Sequence, residues 1–182
     1  MRRLIGSIAK YISKSNGYNK DEEEQVEYAL KIFIFEALKL IGAVIIFSLL
    51  GHFLQAFIAL AAMCIVRPFI GGYHEDNQVR CFISTLLIIG STIYLSSTVE
   101  INVIAKIVLN LFTLYCIYEQ APVINPKMIL TREELIKRNR TVGVTVTIIL
   151  IVISVIFYKI TVVSNTLLWI MLIQALLMFN KR

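Results

Sequence analysis

Charged side chains are scarce in this sequence: they make up only 16% of its 182 residues, whereas 58% of the residues are hydrophobic. With a mean hydropathy of +0.77, the chain is too apolar for an ordinary water-soluble domain. Several apolar runs approach or exceed the roughly 20 residues needed to cross a hydrocarbon layer about 30 Å thick. The composition therefore predicts a single all-α integral membrane domain over residues 1–182, a helical bundle with no separate soluble domain.

Cysteine and histidine are also rare. The three cysteines, Cys64, Cys81 and Cys116, provide no disulfide framework because their number is odd. Cys64 and Cys116 lie inside apolar runs, where a thiol usually packs as a small hydrophobic group. The two histidines, His52 and His74, are expected on opposite faces of the membrane. Since a zinc site needs three or four ligands, we predict neither a metal nor a cofactor.

The N-terminal region, residues 1–31, lacks the uninterrupted apolar core and small-residue cleavage site of a secretory signal. Apolar residues between Leu4 and Ile12 recur at helical spacing among basic residues. This pattern indicates an amphipathic helix that either lies on an anionic membrane surface or packs on the rest of the protein. The sequence SNGYN then interrupts the helix, and DEEEQVEYALK predicts an acid-rich start to the next one.

Six transmembrane helices are predicted after this region. We place them at residues 32–50, 53–66, 82–99, 101–118, 142–158 and 160–179. The connections at Gly51 and His52, at Glu100 and around Lys159 are so short that each flanking pair is expected to form a tight helical hairpin. The other two connections, a stretch at 67–81 and a basic loop at 119–141, are longer and polar.

The basic residues are distributed unevenly along the chain. Six lie in the N-terminal region, two in the 67–81 stretch, five in residues 122–141 and two in the C-terminal tail, which together are 15 of the 18. If the six spans alternate, all of them face one side. Lys39, near the start of the first span, can extend its amine to that same side, which leaves only Lys106 and Lys159 toward the other. The positive-inside rule then predicts that both termini and both polar stretches are cytoplasmic. We attribute the net charge of +6 to this topology and to lipid, and predict no nucleic-acid partner.

The stretch RPFIGGYHEDNQVRCF, residues 67–82, contains the candidate chemistry. The second span, 53–66, is only about 21 Å long, too short for the hydrocarbon core. Either its helix continues through RPFI with Arg67 extended to the surface, or the polar stretch lies below the membrane surface. Pro68 favours a stop, and the paired glycines Gly71 and Gly72 permit a turn. Asp76 or Asn77 can cap the helix that follows. Its early turns carry Arg80 and Cys81, a position where the helix dipole and Arg80 attract negative charge.

The break between the two helices is chemically necessary. In one unbroken helix, His74 and Cys81 would share a face but lie about 10.5 Å apart along the axis, beyond hydrogen-bond reach. With GGYHED as a turn, His74 can fold back over the first turns of the next helix and take the thiol proton. An imidazole that activates a thiol supports acyl transfer from a peptide through a thioester.

Simpler interpretations of the same residues stay open. A single His/Cys pair at a polar junction is more often structural than catalytic. The acidic and amide side chains after His74 can cap and solvate, and Arg67 can be a topology anchor. Candidate supporting or substrate-binding residues are Arg67, Gly71, Gly72, Asp76 and Gln78. A small peptide transporter without covalent catalysis is the main alternative, although the sequence keeps its charges at span ends; a non-catalytic scaffold is another.

The pattern R-x4-G-x-H-x6-C, formed by Arg67, Gly72, His74 and Cys81 between the second and third spans of a short basic chain, resembles the AgrB family. Members of this family are the membrane-embedded cysteine endopeptidases of the accessory gene regulator quorum-sensing system in Gram-positive bacteria. The likeness in length and span layout covers nearly the whole chain. Detailed motif matching is confined to about fifteen residues.

This resemblance implies a mechanism and a set of partners. Cys81 would attack a peptide bond near the C-terminal end of an AgrD-like precursor peptide, with His74 as general base, and release the acidic tail. A cysteine or serine of the precursor would then take the acyl group and close a thiolactone or lactone ring. Arg67 and Gly72 match positions that the family requires. The likeness also implies a homodimer and contact between the N-terminal region and the precursor.

Overall fold

The computed structural model describes residues 2–71, 77–123 and 133–179. Within these ranges the chain forms seven helices and no strand beyond an isolated bridge. The helices are α1 Arg2–Asn16, α2 Lys20–Leu49, α3 Phe53–Ile70, α4 Gln78–Thr98, α5 Val103–Gln120, α6 Glu133–Ile156 and α7 Thr161–Leu177. The all-α prediction is confirmed.

The helices α2 to α6 are each long and apolar enough to cross a membrane. Helix α7 is apolar but shorter, with 17 residues. Each of the six predicted spans coincides with one of these helices, and the predicted N-terminal helix is α1. The chain is therefore a multi-pass membrane bundle preceded by a separate N-terminal helix.

Residues 1–42 and 43–182 form two compact units. In the first unit, Gly17 adopts a φ of 69° and ends α1 at the predicted break. Asn19 then starts α2 through a reciprocal pair of bonds: its Oδ1 accepts from the Glu22 amide at 2.8 Å, and its own amide donates to Glu22 Oε2 at 2.8 Å. This capping box satisfies two backbone donors at the helix start.

In the second unit, α7 is the central helix. It packs on α3, α4, α5 and α6, and Leu168, Ile170 and Met171 are among its buried side chains. The α6–α7 connection forms the predicted packed hairpin. The prediction of a packed hairpin at Glu100 is wrong. In the described residues, α4 and α5 each pack chiefly on α7 rather than on one another. A short connection brings two helix ends together but does not make the helices pack along their length.

Helix α3 continues past Pro68 and ends at Ile70, so the stop favoured at the proline is wrong and the alternative, a helix that continues through RPFI, is confirmed. Proline removes one backbone donor, and the final turn is closed instead by the Gly71 amide, which donates to the Arg67 carbonyl at 3.0 Å. Gly71 has a φ of 74°, in the region that favours glycine. At 18 residues, α3 spans about 27 Å, which resolves the apparent shortness of a helix ending at residue 66.

Helix α6 begins at Glu133, well before the predicted span at residue 142. The end of the expected basic loop at 119–141 is thus helical. Glu133 and Glu134 lie in the first turn, where acidic side chains suit the positive end of the helix dipole. The basic residues that follow are therefore presented by a helix.

Candidate active site

The candidate site lies where α3 ends and α4 begins. These two helices pack on one another and are joined by the short segment 71–77, so they run antiparallel. Arg67, near the end of α3, and Cys81, near the start of α4, therefore lie at the same end of the bundle. The other motif residues, Gly72, His74 and Asp76, lie outside the described residues.

Cys81 is held in the first turns of α4 by a well-formed cap. Asn77 has the extended conformation of a cap residue, and its Oδ1 accepts from the Val79 amide at 2.9 Å. The Cys81 amide donates to the Asn77 carbonyl at 2.8 Å, and the Cys81 carbonyl accepts from Thr85 Oγ1 at 2.9 Å. The predicted cap is confirmed for Asn77, and it fixes the backbone from which the thiol projects.

The side chains around this helix start differ in exposure. Cys81 is half-buried, whereas Gln78 and Arg80 are exposed. Cys81 is thus neither sealed in the core nor fully on the surface. Gln78 is the first residue of α4 and lies at the same end of the bundle as Cys81; its supporting role stays a prediction.

Arg67 lies in the last turn of α3 and is half-buried. Its Nη1 is 3.7 Å from the Sδ of Met63, one turn earlier. A cation in the last turn also suits the negative end of the helix dipole. The Arg67 side chain thus contacts its own helix one turn earlier.

A contact that the sequence did not predict holds the start of the motif. Gly71 pairs with Val123 in an isolated parallel bridge, and the Val123 amide donates to the Ile70 carbonyl at 2.9 Å. A Cβ at Gly71 would overlap the carbonyl oxygen of Val123. The segment after α5 therefore lies directly against Gly71. Position 71 thus needs glycine for two reasons: its positive φ and the lack of space for a Cβ beside Val123.

Helix α6 supports the same end of α3 from another direction. A Cβ at Gly143 would lie 2.9 Å from Ile70 Cγ2, so the two helices approach closely there. Arg140, one turn earlier, donates from Nη2 to the Tyr118 carbonyl at 2.9 Å, and its guanidinium lies 4.9 Å from the Tyr118 ring centroid. The end of α5 and the start of α6 are thereby tied together beside the motif.

Within the second compact unit, residues 43–182, the described residues at this end carry more positive than negative charge. The cations are Arg67, Arg80, Lys137, Arg138 and Arg140, and the acids are Glu119, Glu133 and Glu134. Most of these side chains are exposed. The resulting positive surface favours an anionic partner, and it equally fits the charge distribution that sets membrane topology.

The other two cysteines lie in different surroundings. Cys64 is exposed on α3 and Cys116 is buried on α5. The packing role predicted for Cys116 agrees with its burial, whereas Cys64 lies on the outer surface of the bundle. Neither lies at the start of a helix, so Cys81 alone among the three has the position predicted for the nucleophile.

Comparison with known proteins assigns the chain to a family. A family model described as Accessory gene regulator B matches residues 5–178. The chain belongs to the AgrB family. An AgrB-like protein 1 of Clostridium perfringens (strain 13 / Type A) is 42% identical over 181 residues, which cover 100% of this chain and 97% of that protein.

A more distant relative is named Accessory gene regulator protein B, from Staphylococcus aureus (strain bovine RF122 / ET3-1). It is 23% identical over 154 residues, which cover 85% of this AgrB-family chain and 82% of that protein. No solved structure matches the chain. Membership of the AgrB family assigns the chain to signal processing in accessory gene regulator quorum sensing, a system in which the family is associated with the AgrD precursor peptide.

Proposed function

We propose that this protein is a membrane-embedded cysteine endopeptidase that removes the C-terminal tail of an AgrD-like precursor and cyclises the remainder. The observation that carries the proposal is the position of Cys81. Its half-buried thiol lies in the first turns of a capped helix, at the bundle end where the R-x4-G-x-H-x6-C motif begins. His74 precedes the cap residue Asn77 by three positions, so the chain is long enough for its imidazole to reach Cys81.

The proposed reaction has two acyl transfers. In the first, His74 takes the proton of the Cys81 thiol while the sulfur attacks the peptide carbonyl. The C–N bond breaks, the proton passes to the departing amine of the tail, and a thioester is left on Cys81. In the second, a thiol or hydroxyl of the precursor attacks this thioester, which closes the ring and returns the proton and the free thiol to Cys81.

The surface charge supports a substrate with an acidic tail. Cations outnumber acids among the described residues around the site, and helix α6 presents three of them: Lys137, Arg138 and Arg140. Fixed cations near the site would raise the local concentration of an acidic peptide. Arg67, Gly71, Gly72, Asp76 and Gln78 remain the proposed supporting residues.

The proposed topology follows from the distribution of Lys and Arg. Both termini and the 67–81 stretch would be cytoplasmic, in a single domain of residues 1–182 that works in the lipid bilayer as a homodimer. The N-terminal region, residues 1–31, would contact the precursor. Because α1 has apolar and basic residues at helical spacing, it could meet a membrane-lying peptide in the plane of the interface.

Trapping the acyl-enzyme tests the proposal most directly. Purified protein is incubated with a synthetic precursor whose ring-closing cysteine or serine is replaced by alanine, so that the thioester cannot pass to it. Mass spectrometry should show the precursor without its tail attached to Cys81 and released by hydroxylamine. An adduct on Cys64 or Cys116, or tail release without any adduct on Cys81 at early times, would contradict the mechanism.

A small peptide transporter is a second candidate function, and the burial of Lys106 favours it, because intramembrane ionisable residues commonly mark transport pathways. Lys106 is only 6% exposed although it lies within α5. The two functions are separated by the Cys81→Ala protein in liposomes with an uncleaved, tagged precursor. We expect no accumulation of the tagged peptide; uptake above that of protein-free liposomes would support transport.

A further inference from the structure

Lys106 is turned into the protein at the end of the bundle opposite the motif. It lies in the first turn of α5, whose other end leads to Val123 and the motif. Its Nζ donates to Ser164 Oγ on α7 at 3.1 Å, and the residue is 6% exposed. A lysine near the end of a transmembrane helix usually extends its amine toward water. This one is held between two helices instead.

The residues around Lys106 are polar but provide no negative charge. Within residues 2–71, 77–123 and 133–179, no acidic side chain forms an ion pair with it. Ser164, its hydrogen-bond partner, is fully buried, and the Ser164 carbonyl accepts from Ser154 Oγ at 3.0 Å. That bond fixes the start of α7 beside α6. The ammonium group therefore has a rigid neutral partner and no counter-charge in the described part of the chain.

Asn110 is a second polar group on the same face of α5, one turn further along. It is 2% exposed, and neither its Nδ2 nor its Oδ1 has a hydrogen-bond partner in the ranges described. Residues four apart on a helix are neighbours, and helical side chains tilt toward the N-terminus. The unpartnered amide therefore lies on the same face of α5 as Lys106, one turn further into the bundle. Among the described residues, the lysine amine lacks a counter-charge and the amide lacks a hydrogen-bond acceptor. A single negatively charged acceptor would satisfy both groups.

The position of this pair along the bundle limits the possible ligand. Lys106 and Ser164 are each three residues from the start of their helices, or about 4.5 Å along the axis. Helix α5 is about 27 Å long, close to the thickness of a hydrocarbon core. Lys106 thus lies just inside the boundary of the hydrocarbon core, next to the layer that contains the lipid phosphates.

We propose that Lys106 and Asn110 form an oxyanion-binding site that takes a phosphate group at the membrane boundary opposite the motif. Burying an unpaired charge is costly, and a phosphate oxygen would supply the missing counter-charge while accepting from the Asn110 amide. The phosphate comes either from the headgroup of an anionic phospholipid or from solution. The site is separate from Cys81, and its existence does not depend on the peptidase function.

The test measures the thermal stability of the purified full-length protein in detergent. It is titrated with sodium phosphate, with phosphatidylglycerol in mixed micelles and with phosphatidylcholine as the zwitterionic reference; the emission of Trp169, the single tryptophan, is a second readout. At ten times the dissociation constant, a bound phosphate group should raise the Tm by about 3 to 6 °C. A rise with phosphatidylglycerol alone identifies a lipid headgroup, and a rise with sodium phosphate identifies a soluble anion.

The variants are chosen to separate the site from general surface charge. Lys106→Met should abolish the rise and Asn110→Leu should reduce it. Lys159→Met is the matched control, because it removes one exposed cation from the α6–α7 connection at the same end of the bundle, and it should leave the rise intact. A wild-type Tm that neither phosphate source changes would overturn the proposal, whatever the variants do. So would an equal loss of the rise in Lys106→Met and Lys159→Met.

Discussion

Replacing Cys81 by alanine is expected to abolish release of the precursor tail, with a loss of at least about 10³-fold in rate. Within residues 2–71, 77–123 and 133–179, the substitution removes the only sulfur that lies in the first turns of a helix at the motif end of the bundle. It leaves the Asn77 cap and the backbone bonds of Cys81 unchanged, so the fold should persist. The measurement is tail release from a labelled precursor in membranes, normalised to the amount of folded protein.

The matched controls for this result are the other two cysteines and the proposed base. Cys64→Ala, on the exposed surface of α3, should cleave at the wild-type rate. Cys116→Ala removes a buried side chain, so it should lower stability slightly but not the rate per folded molecule. His74→Ala should resemble Cys81→Ala. Cleavage that survives in Cys81→Ala but is lost in Cys64→Ala would reassign the nucleophile.

The features that the sequence predicted correctly are local ones. They are the six apolar runs, the break at Gly17 and the cap at Asn77. Each is determined by residues within one or two helical turns of it, so no tertiary contact is needed to predict it. The cap is the most useful case, since it places Cys81 in the first turns of α4 without any tertiary information. The positions of His74 and Gly72 stay predictions, because they fall outside the described residues.

The features that the sequence did not predict are tertiary contacts. A helix usually ends near a proline, yet α3 passes through Pro68 because one missing donor does not outweigh the packing of the last turn against α6. Lys106 was expected at a span end facing water, but Ser164 on α7 holds it inside. Neither outcome follows from spacing along the chain, since each partner comes from a distant helix.

The paired glycines of the motif combine a local feature, which the sequence predicts, with a tertiary contact, which it does not. Their conformational freedom was evident from the sequence and indicated a turn. The reason that Gly71 tolerates no side chain is a different one, since the carbonyl oxygen of Val123 occupies the space where a Cβ would lie. The segment after α5 thus contacts the first residue of the motif turn, although nothing in the sequence links the two segments.

Replacing Gly71 by alanine should therefore impair cleavage strongly even in protein that folds. The φ of 74° with a ψ of −153° is a conformation that almost only glycine adopts and costs another residue about 1 to 3 kcal/mol, and the new Cβ would displace Val123 from the start of the motif. Because a displacement of about 1 Å near reacting groups can cost about 10²-fold in rate, we expect a loss of that order per folded molecule. The assay is tail release by purified protein, with the folded fraction measured separately.

Substitutions at two other glycines are controls that separate the effect of backbone strain from the effect of displacing Val123. Gly51 has a φ of +81° but nothing within 4 Å of a built Cβ, so Gly51→Ala should lower stability by a similar strain and leave the rate per folded molecule unchanged. Gly90 lies inside α4, and a Cβ there would make only an ordinary 3.6 Å contact with Phe47. Gly90→Ala should be neutral or stabilising by up to about 1 kcal/mol. If Gly71→Ala lost no more activity than Gly51→Ala, the contact with Val123 would have no part in positioning the motif, and backbone strain alone would account for the glycine.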